Sequence, residues 1–164
     1  MEPQTVTPVT TVAPDATRNY ASFGRRLGAV LLDGLILGVV GVIVSLPFTI
    51  VATVMNTAGD PSTVGVFGSM IGMIGSILNI VISFGYAIYF IGKDGQTLGK
   101  KALGIKVIRL NGEPKVGYTN AFLRESVGKF ISSLILGIGY LMMLGDQNKQ
   151  TLHDKISGTV VIKV

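Results

Sequence analysis

Two long apolar stretches, each bounded by polar residues, dominate the pattern of this chain. The first continues from Phe23 to beyond Val44, and its single charge after Arg26 is the carboxylate of Asp33. The second, residues 64–91, contains no charged residue. Since about 20 consecutive apolar residues cross the hydrocarbon core of a bilayer, the pattern predicts two transmembrane helices, over about residues 23–46 and 64–91.

A third apolar stretch, residues 119–144, gives a weaker pattern. Its first half carries Arg124, Glu125 and Lys129, while its continuously apolar part is short and interrupted by glycine. Charges along an otherwise apolar helix are typical of a segment that lies in the membrane interface. We therefore favour an interfacial or re-entrant helical segment, with a full third crossing as the alternative. The predicted fold class is an all-α integral membrane protein with two transmembrane helices and this third embedded segment.

The charges that flank these stretches predict the topology. Residues 92–118 form a basic segment, and basic loops usually lie on the cytoplasmic side of a membrane. Arg25 and Arg26 flank the first span in the same way. The lysines of the C-terminal segment, residues 145–164, argue weakly for the same side. We therefore predict a multi-pass protein of the inner membrane, with a cytoplasmic N-terminus and a cytoplasmic C-terminus.

The basic segment also contains a small β element. Residues 105–110 and 113–116 flank Asn111-Gly112, a dipeptide that favours a tight hairpin turn. Pro114 limits the second of these strands to a sheet edge. Residues 158–164 read as a further strand that could pair with the hairpin.

The composition supports a membrane protein and excludes several classes of function. Only 14% of the 164 residues are charged, against a usual share of about 25%, and 48% are hydrophobic. Cysteine is absent and His153 is the single histidine. We therefore expect no metal site, no cofactor and no enzymatic activity. The net charge of +5 predicts contact with anionic lipid headgroups and no nucleic acid, because the basic residues flank apolar segments.

The chain is predicted to have two parts. Residues 1–18 are rich in threonine, proline and valine without apolar periodicity, which is typical of a disordered tail. Residues 19–164 form one membrane domain.

Asp33 is the first candidate site, because an ionisable residue inside a span is a functional-site hypothesis by default. Arg26 precedes it by seven residues, which places both on one helix face, about 10 Å apart along the axis. Counted from the ends of the spans, Asn79 lies at a similar depth. We therefore predict that Asn79 is the partner of Asp33, either in an ion or proton site or in a polar lock between the helices.

Three segments carry a recognisable combination of residues. They are FGRRLGAVLLDGLIL (residues 23–37), DGQTLGKKALGIKVIRLNG (residues 94–112) and KQTLHDKISGTVVI (residues 149–162). In this order they resemble the RDD family of bacterial membrane proteins, named for one arginine and two aspartates. The resemblance covers essentially everything after the tail.

The resemblance implies which residues form the family signature. The arginine matches Arg26, with Arg25 as a one-residue alternative. The first aspartate matches Asp33. The second matches Asp154, with Asp146 as the second choice.

The resemblance also implies a transport role, and some members of the family are linked to cation/proton exchange. The leading hypothesis is transport, with Asp33 binding and releasing a monovalent cation or a proton. Two or three helices enclose a path poorly, so a homo-oligomer or a membrane protein partner is expected. The alternative is a non-catalytic membrane interaction or assembly module. His153 is a secondary candidate as a proton relay, and Arg124 could pair with Asp146 or Asp154.

Overall fold

Two long antiparallel helices form the frame of the protein. The computed structural model describes residues 18–58, 64–134 and 138–164. Helix α1 comprises Phe23–Ala58 and helix α2 comprises Val64–Asp94. Both are long and apolar enough to cross a membrane, and most of their large apolar side chains are exposed on the outside of the hairpin. The predicted disordered tail, apart from residue 18, and residues 59–63 between the two long helices lie outside the described residues.

Helix α1 passes through Pro47, where the sequence predicts a kink or the start of an exit. Proline lacks the N–H that would bond within the helix. Nearby hydroxyls bond to backbone carbonyls, with Ser45 donating to Val42 at 3.4 Å and Thr49 donating to Leu46 at 2.9 Å. Bonds of this kind to the preceding turn satisfy serine and threonine hydroxyls within an apolar helix.

Small residues allow α1 and α2 to approach closely at a few levels. A Cβ atom at Gly75 would lie 3.0 Å from the Cβ of Phe48, and one at Gly41 would lie 2.9 Å from Oδ1 of Asn79. Small residues at such positions let the two helices pack closely in a membrane. Other glycines of the two helices have no such neighbour among the described residues, and they include Gly34, Gly38, Gly65 and Gly72.

A polar cap covers one end of this hairpin. We use this name for helix α3 (Leu98–Ala102), strand β1 (Ile105–Arg109), helix α7 (Leu152–Ile156) and strand β2 (Thr159–Lys163). The two strands pair antiparallel, with Val107 opposite Val161. The small apolar core of the protein lies between this sheet and the adjoining ends of α1 and α2, and includes Ala29, Ile91, Ile105, Val107 and Val161.

The predicted hairpin at Asn111-Gly112 is wrong in its second strand. A turn does form there, because the N–H of Arg109 donates to the carbonyl of Glu113 at 3.0 Å. Among the described residues, however, the partner of β1 is β2, from the far end of the chain. Pro114 lacks a backbone N–H, whereas β2 offers a continuous ladder of donors and acceptors. The strand predicted near the C-terminus is thus present and paired.

The polar cap contains the same helix–strand unit twice. Both units follow the pattern Gln-Thr-Leu-x-x-Lys-x-x-Gly, beginning at Gln96 and at Gln150. Each glutamine donates from Nε2 to the first strand carbonyl, Gln96 to Ile105 at 3.0 Å and Gln150 to Thr159 at 2.8 Å. The shared pattern and the shared hydrogen bond identify an internal repeat.

The backbone of the two units agrees as well. Thr97 and Thr151 are the N-cap residues of α3 and α7, with φ of −77° and −80° and ψ of 171° and 170°. Between helix and strand stand Gly104 and Gly158, with φ of +60° and +58°. This left-handed conformation favours glycine, because other residues would be strained there.

The third apolar stretch is divided into short pieces. It contains helix α4 (Tyr118–Phe122), a π-helical segment (Leu123–Gly128), helix α5 (Lys129–Leu134), helix α6 (Ile138–Leu141) and a 3₁₀ turn (Met142–Leu144). Within the described ranges, only α1 and α2 are long and apolar enough to span a membrane. The membrane depth of this third stretch stays a prediction.

Candidate functional site

The carboxylate of Asp33 lies against the beginning of helix α3. It accepts hydrogen bonds from the hydroxyl of Tyr86 at 2.9 Å, the hydroxyl of Thr97 at 2.5 Å and the backbone N–H of Gly99 at 2.8 Å. The Tyr86 hydroxyl in turn accepts from the N–H of Leu98 at 3.0 Å. Asp33 therefore joins α1, α2 and the first unit of the polar cap at one point.

Glycine at position 99 makes this close approach feasible. A Cβ atom there would lie 2.9 Å from Cγ of Asp33 and would collide with the carbonyl of Ala29. Thr97 serves two purposes, because its hydroxyl donates to Asp33 and accepts from the N–H of Lys100 at 3.4 Å. The local sequence Thr97-Leu98-Gly99 is thus the part of the polar cap that fits the carboxylate.

Asn79 does not meet Asp33, so the predicted pair is wrong. Its amide donates to the carbonyl of Gly75 at 3.1 Å, and its Oδ1 faces Gly41 of α1. The residue of α2 that reaches Asp33 is Tyr86, about 10 Å further along the helix axis. The prediction failed because it matched the depths of Asp33 and Asn79 by counting residues from the ends of the two spans. The partners of Asp33 come instead from the beginning of α3 and from the part of α2 beside it.

Arg26 and Asp154 form the centre of a second cluster. Nη1 of Arg26 lies 2.5 Å from Oδ2 of Asp154, and Nη2 donates to the carbonyl of Lys149 at 2.6 Å. Arg124 binds the other carboxylate oxygen of Asp154. Asp154 also accepts from the N–H of Thr151 at 3.1 Å and from its hydroxyl at 2.8 Å. The structure therefore brings together residues from α1, the π-helical segment and α7.

This cluster keeps Asp154 ionised although it is fully buried. Burial opposes the charged form, but the guanidinium groups of Arg124 and Arg26, with His153 and the Thr151 N–H, hold the pKa of Asp154 well below its usual range. A buried carboxylate is tolerated when it is paired and hydrogen-bonded. The arrangement is suited to holding segments together.

The secondary candidates occupy different positions. Asp146 pairs with Lys155 at 2.5 Å, and of the two aspartates considered for Arg124, it is Asp154 that binds this arginine. Arg25 is exposed and donates to the carbonyl of Leu103 at 3.4 Å. His153 is 4% exposed and bonds through Nε2 to the Thr151 hydroxyl at 2.9 Å. Burial, together with Arg124, lowers the pKa of His153 to about 3, so this imidazole is neutral near pH 7.

A cavity of about 460 Å³ lies beside Asp33, between the cap end of the helical hairpin and the π-helical segment. Its charged lining consists of Asp33, Lys100, Glu125 and Lys129. Glu125 is 2% exposed and binds Lys129, with Nε of Arg124 at 3.3 Å. Burial opposes the charge on Glu125, but Lys129, Lys100 and Arg124 lower its pKa to about 2.

Lys100 was not among the predicted site residues. Burial lowers the pKa of Lys100 to about 8. The positive charges of Arg124 and Lys129 also lower this pKa, while the carboxylate of Glu125 raises it. The Glu125 and Lys129 pair could have been found from its spacing of four residues, which places both on one side of a helical turn. Lys100 gave no such signal, because it belongs to a run of basic residues. In the described part of the chain, no group of three or more histidine, aspartate or glutamate side chains could hold a metal ion.

Comparison with known proteins fits this arrangement. The sequence model of the RDD family matches residues 20–158. The chain belongs to the RDD family. The match confirms the resemblance read from the three segments, and it covers both long helices and all but the last residues of the polar cap. It is a membrane protein with two candidate spans.

Several relatives are about 30% identical to this chain over the aligned residues. "Uncharacterized membrane protein YteJ" of Bacillus subtilis is 30% identical over 147 residues, which are 89% of this chain and 82% of that protein. "Uncharacterized protein YckC" of the same organism is 32% identical over 145 residues, covering 86% and 83%. The "Proline-rich antigen homolog" of Mycobacterium tuberculosis is 31% identical over 106 residues, and this chain spans only 42% of its length. No solved structure matches.

Proposed function

We propose that this RDD protein is a non-catalytic membrane interaction module, in which Asp33 and Arg26 fasten a polar cap onto a two-helix membrane hairpin. The single observation that carries the proposal is the set of partners of Asp33. Its three hydrogen-bond donors come from α2 and from the beginning of the first cap unit, and they are the hydroxyls of Tyr86 and Thr97 and the N–H of Gly99. The intramembrane carboxylate is used to join elements of the protein.

The chemistry of these donors favours a lock over an ion site. An ionised carboxylate offers about four acceptor positions, of which Asp33 already uses three. Release of Asp33 to bind a cation would leave the Thr97 hydroxyl and the Gly99 N–H without this partner, at a cost of about 1–3 kcal/mol for each buried group.

The hairpin also offers surfaces for association. An added Cβ at Gly34 or Gly38 of α1, or at Gly65 or Gly72 of α2, would have no atom of the described residues within 4 Å. Small residues let neighbouring helices approach closely in a membrane. These positions support a second copy of this chain, or another membrane protein, as the partner of the module.

The flanking charges support a location for the module. Lysines and arginines concentrate around the polar cap, which favours a cap on the cytoplasmic side of the inner membrane, next to anionic lipid headgroups. We propose that both ends of the membrane domain lie on this cytoplasmic side.

A thermodynamic cycle on purified protein tests the lock. We expect Asp33→Asn to lower the free energy of unfolding by about 2 kcal/mol, because a charge-assisted contact is lost. Thr97→Val removes the facing hydroxyl, and the coupling energy between the two substitutions should be about 1–2 kcal/mol. Unfolding in mixed micelles titrated with sodium dodecyl sulfate measures both. Asp94→Asn, which breaks the exposed pair with Lys101, is the matched control and should change the free energy by less than about 1 kcal/mol.

Cation/proton exchange is the second candidate, and the cavity beside Asp33 is the observation that favours it. Asp33, Lys100 and Glu125 all line this cavity, so groups of opposite charge share a space next to a membrane helix. Proteoliposomes loaded with a pH-sensitive dye distinguish the candidates. The lock predicts no proton movement in response to a sodium or potassium gradient. Exchange by the wild type that Asp33→Asn abolishes, with unfolding free energy unchanged, would overturn the lock in favour of transport.

A further inference from the structure

The cavity beside Asp33 presents several polar groups that the protein itself does not use. Lys100, Ser83, Ser126 and Tyr140 all line it. Within the described residues, the ammonium group of Lys100 and the three hydroxyls have no hydrogen-bond partner. Four groups able to donate hydrogen bonds therefore face one space.

Among the described residues, the ammonium group of Lys100 is not held in an ion pair. Asp33, the nearest acid on α1, is occupied by neutral donors, and Glu125 binds Lys129. The connected cluster contains four cations, Arg26, Lys100, Arg124 and Lys129, but only three carboxylates, Asp33, Glu125 and Asp154. The excess is one positive charge. An anionic group at Lys100 would complete the balance.

The apolar part of the cavity wall reaches the membrane-facing surface. Val30 of α1 is 53% exposed, Phe84 of α2 is 44% exposed, and Phe130 of α5 is 68% exposed. All three line the cavity, together with Leu37 and Ala87. The cavity thus combines polar groups with apolar side chains that continue into the surface that lipid chains would cover.

We propose that this cavity binds an amphiphile whose carboxylate or phosphate group lies against Lys100 and whose alkyl chain lies along Val30, Phe84 and Phe130. The volume of about 460 Å³ falls within the range of about 300–1,000 Å³ that is usual for small-molecule sites. The three hydroxyls supply further hydrogen bonds to the anionic oxygens. An inorganic anion would leave the apolar walls unused.

Photo-crosslinking tests this site. The full chain is reconstituted in phosphatidylcholine nanodiscs and titrated with palmitic acid that carries a diazirine on its chain. We expect saturable labelling of peptides that contain Phe84 or Phe130. Lys100→Met should raise the half-saturation concentration of the probe by about tenfold or more, because a charge-assisted hydrogen bond is lost. Lys101→Met is the control, since this neighbouring lysine is exposed and pairs with Asp94, and it should leave labelling within about twofold of the wild type.

A second variant tests the cavity without changing its charge. Ser83→Leu places a larger side chain in the cavity from α2 and should abolish saturable labelling. Ser76→Leu, on the same helix but outside the cavity lining, should leave it unchanged. Non-saturable labelling, or an equal effect of Lys100→Met and Lys101→Met, would overturn the proposal.

Competition identifies the source of the anionic group. Unlabelled oleate that displaces the probe better than phosphatidylglycerol indicates a fatty acid carboxylate, and the reverse indicates a lipid phosphate. Both results support an amphiphile. Displacement by inorganic phosphate at the same concentration as oleate would show that the alkyl chain contributes nothing, and would overturn it.

Discussion

The two helix–strand units of the polar cap share a sequence pattern but obtain their carboxylate from different places. In the first unit, the Thr97 hydroxyl donates at 2.5 Å to Asp33, which belongs to the membrane helix α1. In the second unit, the equivalent hydroxyl of Thr151 donates at 2.8 Å to Asp154, which belongs to the unit itself. The carboxylate that accepts from the N-cap threonine therefore comes from α1 in the first unit and from the unit itself in the second.

This difference explains why α1 carries one arginine and one aspartate on the same face. The first unit has glycine at position 99, which leaves room for the carboxylate of Asp33 to enter. The second unit supplies its own carboxylate, Asp154, and receives the guanidinium of Arg26. Arg26 thus holds one unit and Asp33 holds the other, so the seven-residue spacing matches two docking points of a repeated structure.

Removal of the charge of Asp154 should cause the largest loss of stability, and it tests the unit that supplies its own carboxylate. Asp154→Asn leaves the buried guanidinium of Arg124 and the largely buried one of Arg26 without their shared carboxylate. Breaking a buried ion pair from one side costs about 3–5 kcal/mol. We expect a loss of this size in the free energy of unfolding, measured in mixed micelles titrated with sodium dodecyl sulfate.

The control for Asp154→Asn is Asp146→Asn, which breaks the pair between Asp146 and Lys155 close by. This pair is partly exposed, so its loss should cost about 1 kcal/mol or less. A similar cost for both substitutions would mean that Asp154 is no more important to the cap than a surface acid, and the comparison of the two units would lose its basis.

The sequence alone predicts much of the frame. Apolar length identifies α1 and α2, and the strand near the C-terminus is recognisable from its β-branched residues. The partners of Asp33 were missed because they lie 53 to 66 positions away along the chain and depend on how the first unit folds back. The repeat of Gln-Thr-Leu-x-x-Lys-x-x-Gly was visible in the sequence and would have indicated that Thr97 and Thr151 have equivalent surroundings.

A smaller effect should come from His153, a residue that differs between the two units. His153 stands in α7 where the first unit has Gly99, and burial, with Arg124, lowers the pKa of His153 to about 3. Between pH 6.5 and pH 3 the unfolded chain binds a proton at this histidine and the folded protein does not, so stability falls as the pH falls. From pH 7 to pH 5 the loss should be about 2 kcal/mol. Denaturant titrations at both pH values measure it.

The control for this pH effect is His153→Gln, which keeps a polar side chain but does not titrate. Its stability should change between pH 7 and pH 5 by about 2 kcal/mol less than that of the wild type. An unchanged pH dependence would place the titrating group elsewhere.

Hydrogen exchange adds a test of the difference between the units. As the pH is lowered, amide protection should fall first in α7, which contains His153, and later in α3, whose equivalent position is Gly99.

The smallest effect should come from the two glycines that connect helix to strand. Alanine in the left-handed conformation costs about 1–2 kcal/mol, so Gly104→Ala and Gly158→Ala should both destabilise the cap. The first should cost more, because its Cβ would lie 3.0 Å from the carbonyl oxygen of Val164, while a Cβ at Gly158 would have no described atom within 4 Å. Thermal unfolding followed by circular dichroism ranks the two variants. A larger loss at Gly158 would indicate that the second unit, with its buried ion pairs, tolerates backbone strain less than the first, and that the units differ in rigidity as well as in the source of their carboxylate.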